Sequence, residues 1–173
     1  MDVEVGKMNK NSLQQWWKTH IVLRLVTLIT SFTSAIIIFK NNETTDTFGF
    51  PMSIKYSDDT NFKFFAYANM IVACFSAIAL ILFVVVASRK SIKPIVVFFF
   101  FLHDLIMLML VTAACAVATS IGYEGKHGNT KAGWMAICPY VPNYCRKGTM
   151  AGAISYICLV NYFLLSVMYA KQI

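Results

Sequence analysis

The sequence predicts an all-α membrane protein, a four-transmembrane-helix bundle, on three observations: an apolar load too large for water, four long stretches almost free of charge, and charged clusters between them. Of the 173 residues, 58% are hydrophobic and only 13% are charged, and the mean hydropathy is +0.62. A soluble domain of this size must keep much of its surface in water and has too little interior to bury such a load. Lipid must solvate a large part of the chain.

Each span follows from where charge is missing. The first, at about 19–39, lies between Lys18 and Lys40 and holds one ionised side chain, Arg24. The second, at about 64–88, runs from Lys63 to Arg89 with none. The third, at about 95–121, lies between Lys93 and Glu124 and is interrupted only by Asp104, with His103 beside it. The fourth, at about 149–170, sits between Lys147 and Lys171 and is free of charge. All four reach the roughly 20 residues a helix needs to cross about 30 Å of hydrocarbon. Uninterrupted apolar runs favour helices over a membrane barrel, whose strands would alternate in segments of about ten residues. The first span exceeds a signal-peptide core, lacks a small-residue cleavage site, and is read as retained.

Four spans put both ends of the chain on one side. That side comprises the tail 1–18, the turn 89–94 and the end 171–173, and it holds seven Lys and Arg in 27 residues. The opposite side, outer loops 40–63 and 122–148, holds seven in 51, among five acids. Density, and the tight Arg89-Lys90-x-x-Lys93 turn, favour cytosolic termini although the raw count ties. Residues 1–12 are polar and expected to be disordered, and Trp16 and Trp17 fit a cytosolic aromatic anchor, with Trp134, Tyr140 and Tyr144 matching them on the outer face. Cys138 and Cys145 flank Pro139 and Pro142, and on an oxidising side a disulfide there would fasten the mouth of spans three and four; the alternative is two free thiols. Asn42-Glu43-Thr44 is a glycosylation sequon, close enough to the membrane end that non-use is equally open.

Arg24 and Asp104 stand out because a charge near the bilayer centre costs about 2.5 to 3.5 kcal/mol on insertion scales and needs a partner. Asp104 lies 11 residues from Lys93, about 16 Å along the helix, and Arg24 six residues from Lys18, about 9 Å, a gap the guanidinium stem can cover. A bond between them, bidentate if geometry allows, is expected, and Asn161, ten residues before Lys171, lies deep enough to join. One reading makes Arg24, Asp104 and Asn161 a polar cluster that fixes the bundle's register. The other lets Arg24 snorkel to phosphates and leaves Asp104 protonated or in a wet crevice. His103 is expected to point about 100° away from Asp104, and Asn69 reads as an interfacial helix residue without functional weight. Small residues at four-residue intervals, such as Gly148 and Gly152 or Ala114 and Ala118, permit close packing within one bundle or between copies.

No cofactor or metal is expected: no span sets His, Cys, Asp and Glu at ligand spacing, and there is no phosphate loop or nucleophile elbow. The chain is not expected to be an enzyme. The formal charge of +7 is spread over both membrane flanks, so lipid headgroups rather than nucleic acid are the expected contact. An oligomeric channel or proton-coupled transporter using Asp104 is the rival to a structural role, although internal repeats and broken helices are missing.

These residues carry a resemblance. Arg24 within Val22-Leu23-Arg24-Leu25, Asp104 in the third span, Tyr67-Ala68-Asn69 opening the second, and Gly133-Trp134-x-x-Ile137-Cys138 followed by Tyr144-Cys145 resemble the Casparian strip membrane protein-like (CASP-like) family, related to MARVEL-type four-span proteins. The resemblance covers nearly the whole chain. It implies a plasma-membrane protein with cytosolic termini that forms homo- and heteromers, in which Arg24 and Asp104 are the membrane residues of note. In the founding members such assemblies form a platform that blocks lateral diffusion and recruits cell-wall enzymes. Residues 40–63 here depart from the founders' short apolar-aromatic loop signature, so a scaffold of another membrane domain is expected, not Casparian strip formation.

Overall fold

The computed structural model describes residues 10–47, 50–87 and 94–171. The Arg89-Lys90-x-x-Lys93 turn, residues 1–9 of the N-terminal tail and the last two residues lie outside the described residues. Among the described residues four helices are long and apolar enough to cross a membrane: α1 (Lys10–Phe39), α2 (Thr60–Ala87), α3 (Pro94–His127) and α4 (Pro142–Ala170). All four start before the sequence boundaries, α2 at Thr60 against the expected 64. α1 begins at Lys10, inside the stretch expected to be disordered; α3 runs on to His127, and α4 starts at Pro142, seven residues before the expected Thr149. Polar residues at a helix end cost nothing once they stand beyond the hydrocarbon, so charge marks the membrane edge and not the helix edge.

The helices form a closed ring in chain order. α1 packs on α2, α2 on α3, α3 on α4, and α4 returns to α1. Each inward face repeats at an average of 3.5 residues, the period of helices packed side by side at about 20°. On α2 it reads Phe62, Phe65, Asn69, Val72, Ser76, Ala79, Phe83, and on α4 Tyr144, Ala151, Ser155, Cys158, Tyr162, Leu165, Tyr169. α1 is inverted relative to a soluble amphipathic helix: His20, Arg24, Thr27, Ser31 and Ser34 are buried, while Val22, Leu25, Ile29 and Phe32 face outward.

Between α1 and α2 stands a β-hairpin, β1 (Asn42–Thr47) and β2 (Phe50–Lys55), antiparallel with Asn42 opposite Lys55 and Thr47 opposite Phe50. Sequence reading gave only a loop there. A single turn of 3-10 helix, Tyr56–Asp58, leads into α2, where Asp59 accepts the Asn61 N–H at 2.7 Å and caps the helix.

Candidate functional site: the buried polar column

The end of the bundle away from the hairpin is organised by Arg24. Its Nη2 donates to Asp104 Oδ2 at 2.8 Å and to the Tyr169 hydroxyl at 3.3 Å, joining α1 to α3 across the ring and to α4 beside it. Arg24 is 1% exposed and Asp104 0%. The guanidinium carbon lies 5.1 Å from the Phe100 ring centre, 5.5 Å from Phe83 and 5.8 Å from Tyr169, so three aromatic faces take the place of water around the cation. The pair is not bidentate, because the second carboxylate oxygen is taken: Asp104 Oδ1 lies 3.0 Å from His103 Nδ1. His103 therefore reaches its neighbour after all; the two Cα–Cβ bonds diverge by about 100°, but the imidazole Nδ1 is close enough to its own backbone to curl round the helix.

Asn161 does not join this group. Its amide donates to Ile157 O at 2.8 Å on its own helix. The inward face of α4 passes through Cys158, Tyr162 and Leu165, and Asn161 stands one position off it, only partly buried. Depth was matched, but rotation about the helix axis was not. The residue that takes its place is Tyr169. Trp16 and Trp17 also behave differently from a purely interfacial anchor: both are half-buried, and their rings pack at a tilt against Phe83, with Trp16 against His20 and Tyr169 as well.

Above Arg24 the column continues in neutral steps. Ser76 and Tyr162 share a short hydroxyl–hydroxyl hydrogen bond between α2 and α4, and Cys158 points its thiol at Thr27 O, 3.7 Å away. Ser155 donates to Asn69 Oδ1 at 2.9 Å while the Asn69 amide donates to Phe65 O at 2.9 Å. Asn69 is fully buried, contrary to its reading as an interfacial residue; it occupies the inward face of α2 between Phe65 and Val72. Ser34 donates to Ala151 O at 2.9 Å, and Asn41 Nδ2 to Tyr144 O at 3.1 Å. Both diagonals of the ring are thus bridged, α1 to α3 by charge and α2 to α4 by neutral bonds.

The hairpin end is fastened from outside. Cys138 and Cys145 are disulfide-bonded with Cα atoms 5.6 Å apart, and the backbone N–H groups of Ile137 and Cys138 both donate to Gly125 O at 3.0 Å, tying the loop to α3. Glu43 of β1 supplies what α4 lacks. Pro142 opens that helix and Val141 offers no side-chain cap, and Glu43 Oε2 accepts the Tyr144 N–H at 2.6 Å while Oε1 accepts Asn143 Nδ2 at 3.0 Å. A carboxylate on a helix N-terminus satisfies free N–H groups and complements the helix dipole. Tyr144 is buried against Phe62 rather than at the outer surface, whereas Trp134 and Tyr140 are exposed. Asn42, next to Glu43, has its side chain exposed.

Residues 14–161 match the Casparian strip membrane protein domain. The chain belongs to this family. It is 41% identical over 152 residues to CASP-like protein 1F2 of Populus trichocarpa, covering 88% of this chain and 83% of that one. It is 40% identical over 153 residues to CASP-like protein 1F1 of Vitis vinifera, covering 88% and 74%, and 32% identical over 145 residues to CASP-like protein 1C1 of Arabidopsis thaliana, covering 84% of each. No solved structure matches.

The CASP-like column contains residues that sequence reasoning passed over: His20, Asn69, Ser76, Tyr162 and Tyr169. The signal was there in the 4-3-4-3 spacing of His20, Arg24, Thr27, Ser31 and Ser34, which marks a polar stripe that lipid would not tolerate on the outside. The same stepping from Ser155 through Tyr162 to Tyr169 would have excluded Asn161. Chemically the column is a lock: both oxygens of Asp104 are engaged and the cation is enclosed. Among the described residues no group of three His, Cys, Asp or Glu is placed to hold a metal ion.

Proposed function

We propose that this chain is a non-enzymatic scaffold of the plasma membrane that oligomerises with itself and with related four-span proteins into membrane domains, with both termini cytosolic. On this reading the hairpin and the disulfide loop form the outer face, which recruits partners such as secreted cell-wall-modifying enzymes. The observation that carries it is the use of polar groups: Arg24, Asp104 and Asn69 turn inward and are held by partners on other helices, while the outward faces carry Ile29, Phe32, Ile81, Leu82, Phe99 and Met109. A bundle so built has a fixed shape and an apolar exterior, the combination that helix packing between copies in lipid requires. Membership of the Casparian strip membrane protein domain family supports the reading.

The test is fluorescence recovery after photobleaching of a C-terminally tagged copy in plant plasma membrane, wild type against Asp104→Asn. Slow recovery in patches that becomes fast in the variant supports a scaffold whose packing depends on the buried charge. Fast recovery in both, with a proton or solute flux abolished by Asp104→Asn, replaces it with a transporter. The orientation has its own check: an enzymatic shift in mobility on glycan removal, lost in Asn42→Gln, supports an outward hairpin.

A further inference from the structure

Outside the column, a furrow of about 700 Å³ opens between the hairpin-side halves of α3 and α4. Ala118, Gly152 and Ala153 are among the residues that line it, small enough to leave room between the helices. Thr119 and Tyr156, which also line it, bond to each other at 2.7 Å and so present no unsatisfied hydroxyl to hydrocarbon. At the mouth stand Lys126, Arg146 and His127, and no carboxylate lines the furrow. Among the described residues Lys126 and Arg146 form no ion pair. Lys126 lies seven residues, about 10 Å of helix, beyond Thr119, which separates a cationic rim from an apolar trough by the distance between a phospholipid phosphate and its upper acyl chain.

We infer that this furrow binds one phospholipid with an anionic headgroup, its phosphate between Lys126 and Arg146 and an acyl chain along Ala118, Gly152 and Ala153. Charge decides the occupant. A second copy docked here about a two-fold axis would bring the same basic mouth against itself, and like charges repel. An anionic lipid supplies the missing countercharge; with the hairpin outward the furrow opens to the outer leaflet, so the site selects a minority anionic lipid there rather than drawing on the bulk anionic lipid of the cytoplasmic leaflet. The site is preformed, since the Cys138–Cys145 disulfide and the two bonds to Gly125 O hold its wall in place.

The test uses the full chain in phosphatidylcholine vesicles containing a minor fraction of phosphatidylglycerol with a photoreactive acyl chain. Crosslinks mapped by mass spectrometry are expected on the hairpin-side halves of α3 and α4 and to be competed by unlabelled phosphatidylglycerol but not by phosphatidylcholine. Replacing Lys126→Gln and Arg146→Gln together should weaken retention of phosphatidylglycerol roughly fivefold per cation removed, ~25-fold in all. Ala153→Phe, on an exposed lining position, should displace the phosphatidylglycerol. Crosslinks spread evenly around the bundle, or retention unchanged in both variants, would overturn the site. So would Ala153→Phe leaving lipid in place while abolishing chemical crosslinking between copies, which would assign the furrow to a dimer contact. The wild-type crosslink map decides the matter even if a variant fails to fold.

Discussion

At the terminal end of the bundle α1 and α3 meet through a buried ion pair whose cation is enclosed by aromatic rings, whereas at the hairpin end α3, α4 and β1 are tied by a disulfide, a carboxylate on a helix terminus and backbone bonds. The first kind of fastening is all-or-none. Burying a charge pair gains little over packed apolar side chains, but losing one partner leaves the other stranded in low dielectric. The second kind is graded, because the ties are separate from one another and the hydrogen-bonding groups lie at helix ends, where water can take the place of a lost partner. The two ends therefore contribute different things: the charged end selects one register of the four helices, and the hairpin end adds increments of rigidity to a register already chosen.

Mutation separates these roles, and the largest effect belongs to the charged end. Asp104→Ala should cost about 3–5 kcal/mol and lower the unfolding midpoint in detergent sharply, because Arg24 is left buried without its anion. A loss no larger than that of a surface change would break the comparison. Reduction of the disulfide, or Cys138→Ser with Cys145→Ser, should cost about 2–3 kcal/mol, the chain-entropy value for so short a closed loop. Hydrogen exchange should then rise along residues 128–141 while the Arg24 layer stays protected; exchange rising equally at both ends would mean the ends are one cooperative unit. Glu43→Gln keeps one acceptor for the Tyr144 N–H and removes the charge, so about 0.5–1 kcal/mol is expected from thermal unfolding at low salt, shrinking as salt screens the helix terminus. Asn161→Ala, in contrast, should stay within about 0.5 kcal/mol of wild type, since only a bond to its own helix backbone is lost.

The legible part of the fold was the part that lipid dictates. Four apolar runs can only be helices in a bilayer, and a Lys-bounded run with one Arg or one Asp has to solve the problem of that charge. Arg24 and Asp104 could be paired by depth because rise per residue is fixed. Rotation about the helix axis was the missing coordinate: it decides that Tyr169 and not Asn161 approaches the guanidinium, and that Asn69 faces Ser155 rather than headgroups. A 3.5-residue count along α1 and α4 contains that coordinate. The hairpin was less accessible. Asn42–Thr47 has no apolar alternation to announce a strand, and its Glu43 meets an α4 terminus distant in sequence. The furrow also depends on tertiary packing, since small residues at four-residue spacing are common to membrane helices whether or not a gap lies between them.

The account stands most directly on the claim that Arg24 and Asp104 act as one unit. A double-mutant cycle on the unfolding midpoint in detergent, with Arg24→Met, Asp104→Leu and the two combined, measures it. Each single change should destabilise the bundle by about 3–5 kcal/mol, and the double variant should recover most of that loss, because removing both charges leaves nothing stranded. Single effects that simply add in the double variant would contradict the pair and with it the lock at the terminal end.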